Sequence, residues 1–295
     1  MNFKKQKPLS GHIMALVCVI VWGSSFVVSK GLMLFLQPTQ LMLLRFTLAY
    51  FALWVIHPKW HFDWKTEWQF LILAIFANTV YCWAENTAIT LTQATNVSII
   101  VSTSPIITAL ILPLFYKQEY MTKQQITGFA VSFIGVVLVV FNGTLTLKIQ
   151  PLGDLLAFVA SASWAVYGIL LKRWAADYDG VLITRKLMFY GMITAFPLMI
   201  AEGHVIDFVT LFALENLAQL AYLGFVCSAT CYILWGAAIQ KLGVLTTNLY
   251  VNMIPLVTLL ISAVVLDETI TIMGLLGMIL VIAGMIGATA QHSPE

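Results

Sequence analysis

The chain has 295 residues, of which 60% are hydrophobic and only 9% are charged, and its formal net charge is +2. Its mean hydropathy is +0.92. The apolar residues come in runs of about 20, the length that crosses the hydrocarbon core of a bilayer. This composition excludes a soluble protein, and the short connections leave no room for a cytoplasmic domain that binds ATP.

In chain order, the apolar runs predict ten membrane-spanning helices and therefore an all-α integral membrane protein. The residues before the first span and after the last form two short tails, 1–10 and 290–295, both of which we expect on the cytoplasmic side. The predicted spans are 11–30, 38–56, 68–89, 94–115, 123–141, 153–172, 183–201, 217–236, 244–266 and 271–289.

The positive residues are distributed unevenly between the two sides of these spans. If the N-terminus is cytoplasmic, only Lys30 and Lys148 fall in external loops. Because cytoplasmic loops are enriched in Lys and Arg, this distribution predicts that both termini are cytoplasmic. The residues on the cytoplasmic side are then Lys4, Lys5, Lys7, Lys59, Lys65, Lys117, Lys123, Lys172, Arg173, Arg185, Lys186 and Lys241.

Residues 11–141 and 153–289 are two weak copies of one pattern, and each copy holds five predicted spans. The copies align when the sequence is shifted by 142 positions at the start, 150 in the middle and 149 at the end. Because five is odd, we expect the second copy to be inverted in the membrane, as in alternating-access transporters. The aligned pairs include Trp22 with Trp164, Pro105 with Pro255, Gly128 with Gly277, and Gly135 with Gly284.

Two ionisable residues stand well inside the predicted spans, Arg45 in the second and Glu85 in the third. Ionisable residues in membrane helices are costly and mark functional sites by default. The two helices are consecutive and antiparallel, so these opposite charges could meet on the external side. They would then form either an ion pair that orients two helices or a site for substrate or a proton.

Four small polar residues precede the two aligned prolines, and each pair shares one helix face because it is spaced i, i+4. A proline inside a span leaves a carbonyl without its helical partner, so it indicates a bend near the middle of the membrane. The polar faces could line a central cavity, or they could form hydrogen bonds between helices. The residues are Ser98 and Ser102 before Pro105, and Asn248 and Asn252 before Pro255.

Aromatic residues form a third set of candidates for the cavity wall. Trp22 and Trp164 are aligned in the repeat and lie near the middle of spans one and six. Tryptophan is common at membrane interfaces, whereas in mid-span its N–H needs a partner. We expect these two residues, with Tyr81 and Tyr167, to contact an organic molecule, although packing remains an alternative for each. The further aromatic residues that could line the same cavity are Trp83, Tyr232, Trp235 and Tyr250.

The aligned glycines indicate a scaffold in spans five and ten. Gly128 and Gly135 are seven residues apart, as are Gly277 and Gly284, so each pair lies on one helix face. Small residues allow membrane helices to approach closely. We therefore expect these glycines to serve packing and not substrate binding.

Together these stretches resemble the EamA family of the drug/metabolite transporter superfamily. The resemblance rests on "IVWGSSFVVSKGL" around Trp22, "LRFTLAY" around Arg45, "SWAVYGILLKRW" around Trp164, and residues 84–139 and 238–287. It implies a ten-helix carrier of the bacterial inner membrane, with its substrate cavity between the halves and alternating access. The chain departs from the family pattern at Gln118, where members often have Gly, and at Glu85.

The resemblance implies an exporter of amino acids or other small organic metabolites that is not an enzyme and uses no cofactor or metal. The expected partners are a small-molecule substrate, the lipid bilayer and a proton as the candidate coupling ion, without nucleic acid, in a monomer or homodimer. A drug exporter, a lipid-linked or nucleotide-sugar carrier of the same fold, and a membrane sensor that does not transport remain as alternatives. A diphosphate ligand would favour two or more cations in the cavity, where the sequence offers only Arg45.

Overall fold

The structure, a computed structural model, describes residues 8–58, 62–91, 94–117, 120–141, 150–203, 205–265 and 270–289. Within these ranges the chain consists of helices and short connections, with no β-strand. Most of both predicted tails lies outside the described residues, as do Lys59, Lys148 and Gln118. Ser98 lies in a described helix, but its side chain is outside the described set.

The first half of the chain forms seven α-helices and one π-helical segment. Two of the predicted spans, the third and the fourth, are each built from more than one of these elements. The elements are α1 (Pro8–Leu32), α2 (Pro38–Ile56), α3 (Glu67–Ala74), the first π segment (Ile75–Val80), α4 (Tyr81–Leu91), α5 (Ala94–Val101), α6 (Ser104–Phe115) and α7 (Lys123–Phe141).

The second half repeats this order, with one short extra helix before its third span. Here too the third and fourth spans of the half are composite. The elements are α8 (Pro151–Trp174), α9 (Gly180–Glu202), α10 (Phe208–Leu211), α11 (Leu214–Ala221), the second π segment (Tyr222–Thr230), α12 (Cys231–Leu242), α13 (Val244–Leu249), a 3₁₀ turn (Tyr250–Met253), α14 (Ile254–Val265) and α15 (Ile272–Thr289).

Eight helices in the described ranges are long and apolar enough to cross a membrane. Their outer faces carry large apolar side chains such as Val55, Ile134 and Ile286, which are 73%, 56% and 64% exposed. A soluble protein does not expose so much apolar surface. The chain is therefore a multi-pass membrane protein.

The predicted third and fourth spans are helical but are not among these eight. The third runs from α3 through the first π segment to the end of α4, and it carries the polar residues Asn78, Glu85 and Asn86. The fourth is interrupted at Ser102 and Thr103, so its longest apolar helical piece is 99–115. The polar residues lower the hydropathy of the third segment, and the helix break shortens the apolar helix of the fourth.

Both helix interruptions come just before the aligned prolines. Pro105 occupies the first turn of α6, after the turn at Ser102 and Thr103, and Pro255 occupies the first turn of α14, after the 3₁₀ turn. Proline has no N–H and its ring clashes with the preceding turn, so it favours the first turn of a helix. Pro113 and Pro197 nevertheless lie inside α6 and α9. The sequence thus favours both breaks locally.

The helix contacts of the first half recur in the second with the partners exchanged. Helix α1 packs against α12 and α14, and helix α8, its counterpart in the repeat, packs against α4 and α6. Helices α2 and α9 pack against each other, as do α7 and α15. The two π segments also occupy corresponding places, because a shift of 150 residues carries the first onto the second.

The contact between α7 and α15 is made by the four aligned glycines. A Cβ atom on Gly128 would lie 2.6 Å from the backbone oxygen of Gly284, and one on Gly135 would lie 2.6 Å from that of Gly277. Because the later residue of one helix faces the earlier residue of the other, the two helices are antiparallel. Their backbones touch without side chains between them, which only glycine allows.

We expect Gly135→Ala to destabilise the protein. The added Cβ would meet the backbone oxygen of Gly277 and the backbone nitrogen of Val281, both at 2.6 Å, so the helices must move apart. Overpacking of this kind costs about 1–3 kcal/mol. The measurement is the thermal unfolding temperature of the protein purified in detergent.

Gly287→Ala is the matched control for this substitution. Gly287 also lies in α15, but a Cβ there would meet no atom within 4 Å. This variant should unfold at the temperature of the wild type. Equal unfolding temperatures for the two variants would contradict the backbone contact between α7 and α15.

Candidate functional site

The structure brings six aromatic side chains together between the two halves of the chain. Trp22 and Trp164 meet edge to face, with ring centroids 5.3 Å apart and an interplanar angle of 88°. Trp235 lies 5.0 Å from Trp22, and Tyr81 lies 5.0 Å from Trp164. Aromatic pairs in these geometries stabilise each other beyond the area that they bury. We call the following set the aromatic cluster: Trp22, Tyr81, Trp164, Tyr167, Tyr232 and Trp235.

Hydrogen bonds to the π segments hold the cluster in place. Trp22 Nε1 donates to the carbonyl oxygen of Cys227 at 3.1 Å, and the Tyr232 hydroxyl donates to that of Ala77 at 3.1 Å. Both acceptors lie in π segments, where the helical hydrogen-bond pattern is widened. Segments of this kind occur frequently at functional sites. Each bond joins one half of the chain to the other.

Glu85 lies at the edge of the cluster, one helical turn after Tyr81. The Tyr81 hydroxyl donates to Glu85 Oε1 at 2.7 Å. Oε2 has no hydrogen-bond partner among the described residues, and the side chain is only partly buried. One carboxylate oxygen therefore remains available to a cationic or hydroxyl group.

Arg45 approaches the cluster from α2. Its Nε donates to Ser228 Oγ at 2.8 Å, and Ser228 lies in the second π segment, one turn before Tyr232. In the described part of the chain its terminal nitrogens have no hydrogen-bond partner, and it forms no ion pair with Glu85. The sequence allowed these two charges to meet, whereas the structure gives each a neutral partner. Two opposite charges are thus left available to a ligand.

The asparagines that precede Pro255 are not part of the aromatic cluster. Asn248 Nδ2 donates to Thr108 Oγ1 at 2.5 Å, and Asn252 Nδ2 donates to Ser132 Oγ at 3.1 Å. Both are buried, and both link the span that contains the 3₁₀ turn to helices of the other half. Ser102 is buried at the break before α6. Asn248 and Asn252 thus form hydrogen bonds between helices, which is one of the alternatives that the sequence left open.

Two further members of the cluster, Tyr232 and Trp235, are among the aromatic residues that the sequence offered for the cavity wall. They are three residues apart and therefore lie on neighbouring positions of one helix face. Trp235 is also the residue that the 150-residue shift aligns with Glu85.

A buried ion pair is the other feature that the sequence did not indicate. Lys186 Nζ lies 2.5 Å from Glu67 Oε2, with the two side chains 0% and 8% exposed. The Tyr190 hydroxyl donates to Glu67 Oε1 at 2.7 Å, and the Lys186 ammonium lies 4.5 Å from the centroid of the Phe70 ring. The pair links α3 to α9. Because Lys186 lies near the start of a predicted span, the sequence does not distinguish it from a cation in a loop.

The family model described as the EamA-like transporter family matches the chain twice, at residues 9–141 and 151–290. An uncharacterized transporter of Archaeoglobus fulgidus is 31% identical over 292 residues, which cover 95% of this chain and 98% of the relative. A protein of Salmonella typhimurium named "Probable amino-acid metabolite efflux pump" is 26% identical, with 92% of each chain covered.

A chain of known crystal structure has the same fold. It superposes with a TM-score of 0.78, covering 96% of this chain and 98% of the other, and the two sequences are 16% identical. At this identity the likeness concerns the fold alone.

We expect Lys186→Met to destabilise the protein strongly. The substitution leaves the Glu67 carboxylate buried with only the Tyr190 hydroxyl as its side-chain donor. Removing one partner of a buried ion pair costs about 3–5 kcal/mol. The measurement is again the thermal unfolding temperature in detergent.

The double variant Glu67→Gln/Lys186→Met should recover part of this loss, because it leaves no uncompensated charge. Lys241→Met is the matched control, since the Lys241 ammonium donates only to a hydroxyl, Ser10 Oγ, at 3.1 Å. A double variant no more stable than Lys186→Met would show that the charge balance is not the cause.

Proposed function

We infer that this chain, which belongs to the EamA-like transporter family, is a secondary exporter of amino acids or other small organic metabolites. It acts by alternating access in the cytoplasmic membrane. The name of the Salmonella relative supports an amino-acid substrate. The arrangement around the aromatic cluster supports it independently.

The observation that carries this proposal is the contact between Trp22 and Trp164, one from each half of the chain. A site between two halves is accessible to each side in turn when the halves rock against each other. The rings form an apolar surface in which Trp164 is buried, whereas Trp22 and Tyr81 are only partly buried and remain accessible to a ligand. A substrate bound there contacts both halves at once.

The charges at the edge of the cluster fit a zwitterion. Arg45 is held at Nε by Ser228, which leaves the terminal guanidinium nitrogens for a carboxylate. Glu85 is held at Oε1 by Tyr81, which leaves Oε2 for an ammonium group. An amino acid presents both charges on one carbon and an apolar body beside them. Charge-assisted hydrogen bonds of this kind are about twice as strong as neutral ones.

The proposed architecture has ten membrane-spanning helices in two inverted repeats, 11–141 and 153–289, with both termini cytoplasmic. The double match of the family model supports the repeat. The exchanged helix contacts and the antiparallel packing of α7 and α15 support the inversion. The excess of Lys and Arg on one side supports the orientation. The breaks before Pro105 and Pro255 are the proposed bending points, and the carrier acts as a monomer or homodimer.

We expect Arg45→Gln to reduce amino-acid transport by about tenfold or more, because a hydrogen bond to a charged group contributes about 1.5–3 kcal/mol. The assay is counterflow of labelled amino acids into proteoliposomes that contain the purified variant. Arg173→Gln is the matched control, since Arg173 is exposed and lies over the Phe115 ring at 5.9 Å, away from the cluster. Full counterflow by a folded Arg45→Gln protein would remove Arg45 from the site.

Glu85→Gln tests the coupling ion. The amide oxygen can still accept from Tyr81, but the side chain can no longer exchange a proton. We expect counterflow at equal pH to weaken, because the charge that holds the substrate ammonium is lost, and the remaining counterflow to lose its acceleration by an imposed pH gradient. Glu215→Gln is the control, because Glu215 is exposed on α11 and its carboxylate accepts only from Gln219. A wild-type protein that ignores the pH gradient would end the proton proposal and leave the substrate proposal standing.

A further inference from the structure

A cavity of about 270 Å³ lies beside the aromatic cluster, between the end of α8, the start of α9 and α12. Tyr167 and Tyr232 belong to both its wall and the cluster. Its wall extends from Tyr167, which is 1% exposed, to Asp179, which is exposed at the N-terminus of α9. The cavity therefore leads from the surface of the protein to the cluster.

Small residues on two helices create this space. Gly236 on α12 has Leu171 Cδ2 as its nearest neighbour, 3.7 Å from the position of an added Cβ, and Gly180 has Ile233 Cγ2 at 3.6 Å. These are ordinary van der Waals distances, so neither glycine is required by a close backbone approach. A larger residue at Gly236 would occupy the cavity without displacing a helix.

The Tyr167 hydroxyl lacks a hydrogen-bond partner within the described residues, although the side chain is almost fully buried. Its neighbour in the wall, Tyr232, differs, because its hydroxyl donates to the carbonyl of Ala77. The Tyr167 oxygen is not among the fully enclosed polar atoms that lack a partner, so it remains accessible from the cavity. A polar atom of a ligand in the cavity would supply one for Tyr167.

The lining of the cavity carries one charged residue, Asp179. Its Oδ1 accepts from the backbone nitrogens of Val181 and Leu182 at 2.9 and 3.3 Å, which caps α9. These two bonds leave Oδ2 available to a ligand.

The basic residues close in sequence to the cavity lining make their contacts outside the cavity. The Lys172 ammonium lies 4.7 Å from the Tyr116 ring centroid, and the Arg173 guanidinium lies 5.9 Å from that of Phe115. Arg185 donates to the carbonyl oxygen of His57, and Lys241 donates to Ser10. None of these residues lines the cavity. The charge of the cavity lining is therefore that of the Asp179 carboxylate.

We propose that this cavity binds the substrate before it reaches the aromatic cluster, and that it selects molecules with a protonated amine and an apolar body. The amine lies at Asp179 and the apolar body extends towards Tyr167 and Tyr232. The cavity volume is near the lower end of the range for small-molecule sites, about 300–1,000 Å³, which suits a single amino acid or amine. The proposal rests on the transport function inferred above.

Three probes that share a phenylethyl skeleton and differ in their charged groups test this selection. They are phenethylamine with an ammonium, 3-phenylpropionate with a carboxylate, and L-phenylalanine with both. Binding to the full-length protein in detergent is measured by isothermal titration calorimetry. The wild type should bind the amine and the amino acid and should bind the carboxylate most weakly. Absence of amine binding at millimolar concentration, or equal affinity for the carboxylate, would overturn the proposal.

Two variants assign the binding to this cavity. Asp179→Asn keeps a side-chain oxygen that caps α9 but removes the charge, so the affinity for phenethylamine should fall about fivefold, as expected for an exposed charge. Gly236→Leu should abolish the binding of all three probes. Wild-type amine affinity in either variant would overturn the proposal.

Matched controls separate these effects from folding. Asp207→Asn makes the same change at the cap of α10, where Asp207 Oδ1 accepts from Val209 and Thr210, outside the cavity. Gly287→Leu adds the same side chain to an open face of α15. Both controls should bind phenethylamine as the wild type does.

Counterflow of labelled phenylalanine with the same variants distinguishes the two proposals. If the wild type binds in the expected order but does not transport, the transport proposal fails and the cavity assignment stands. If Gly236→Leu transports at the wild-type rate, the cavity assignment fails and the transport proposal stands.

Discussion

A backbone carbonyl in the hydrocarbon core must receive its hydrogen bond from protein, because no water reaches it. This constraint accounts for the hydrogen bonds at the centre of the molecule. The two π segments widen the helical pattern, and side chains from other helices donate to their carbonyls. Trp22 donates to Cys227 and Tyr232 donates to Ala77, so the first half supplies a donor to the second and the second supplies one to the first.

These bonds also connect ligand binding to helix geometry. Trp22 and Tyr232 belong to the surface proposed to contact the substrate, and they are at the same time donors to the π segments. A substrate that displaces either ring would also change the hydrogen bonding of the opposite half. The charged residues are attached in a similar way, because Arg45 is held by Ser228, which itself lies in a π segment. In the proposed mechanism, recognition and helix movement therefore depend on the same few groups.

The features that could be predicted from the sequence have local causes. The breaks before Pro105 and Pro255 follow from the missing proline N–H, and the glycine faces of α7 and α15 follow from residue size and spacing. Asn248 was not assigned to a partner because Thr108 is distant in sequence and no local rule connects them. The pairing of Glu67 with Lys186 was missed for the same reason. The sequence could name these polar groups, but long-range packing decides their partners.

The glycine contact between α7 and α15 has a consequence for the origin of such a fold. Gly128 faces Gly284 and Gly135 faces Gly277, so each glycine meets the repeat counterpart of the other glycine on its own helix. An interface of this kind is isologous, the form found between identical subunits related by a two-fold axis. In the inverted architecture proposed above, two separate five-helix chains inserted in opposite directions could associate through this one surface. The contact between α7 and α15 would then serve equally well in a dimer of such chains.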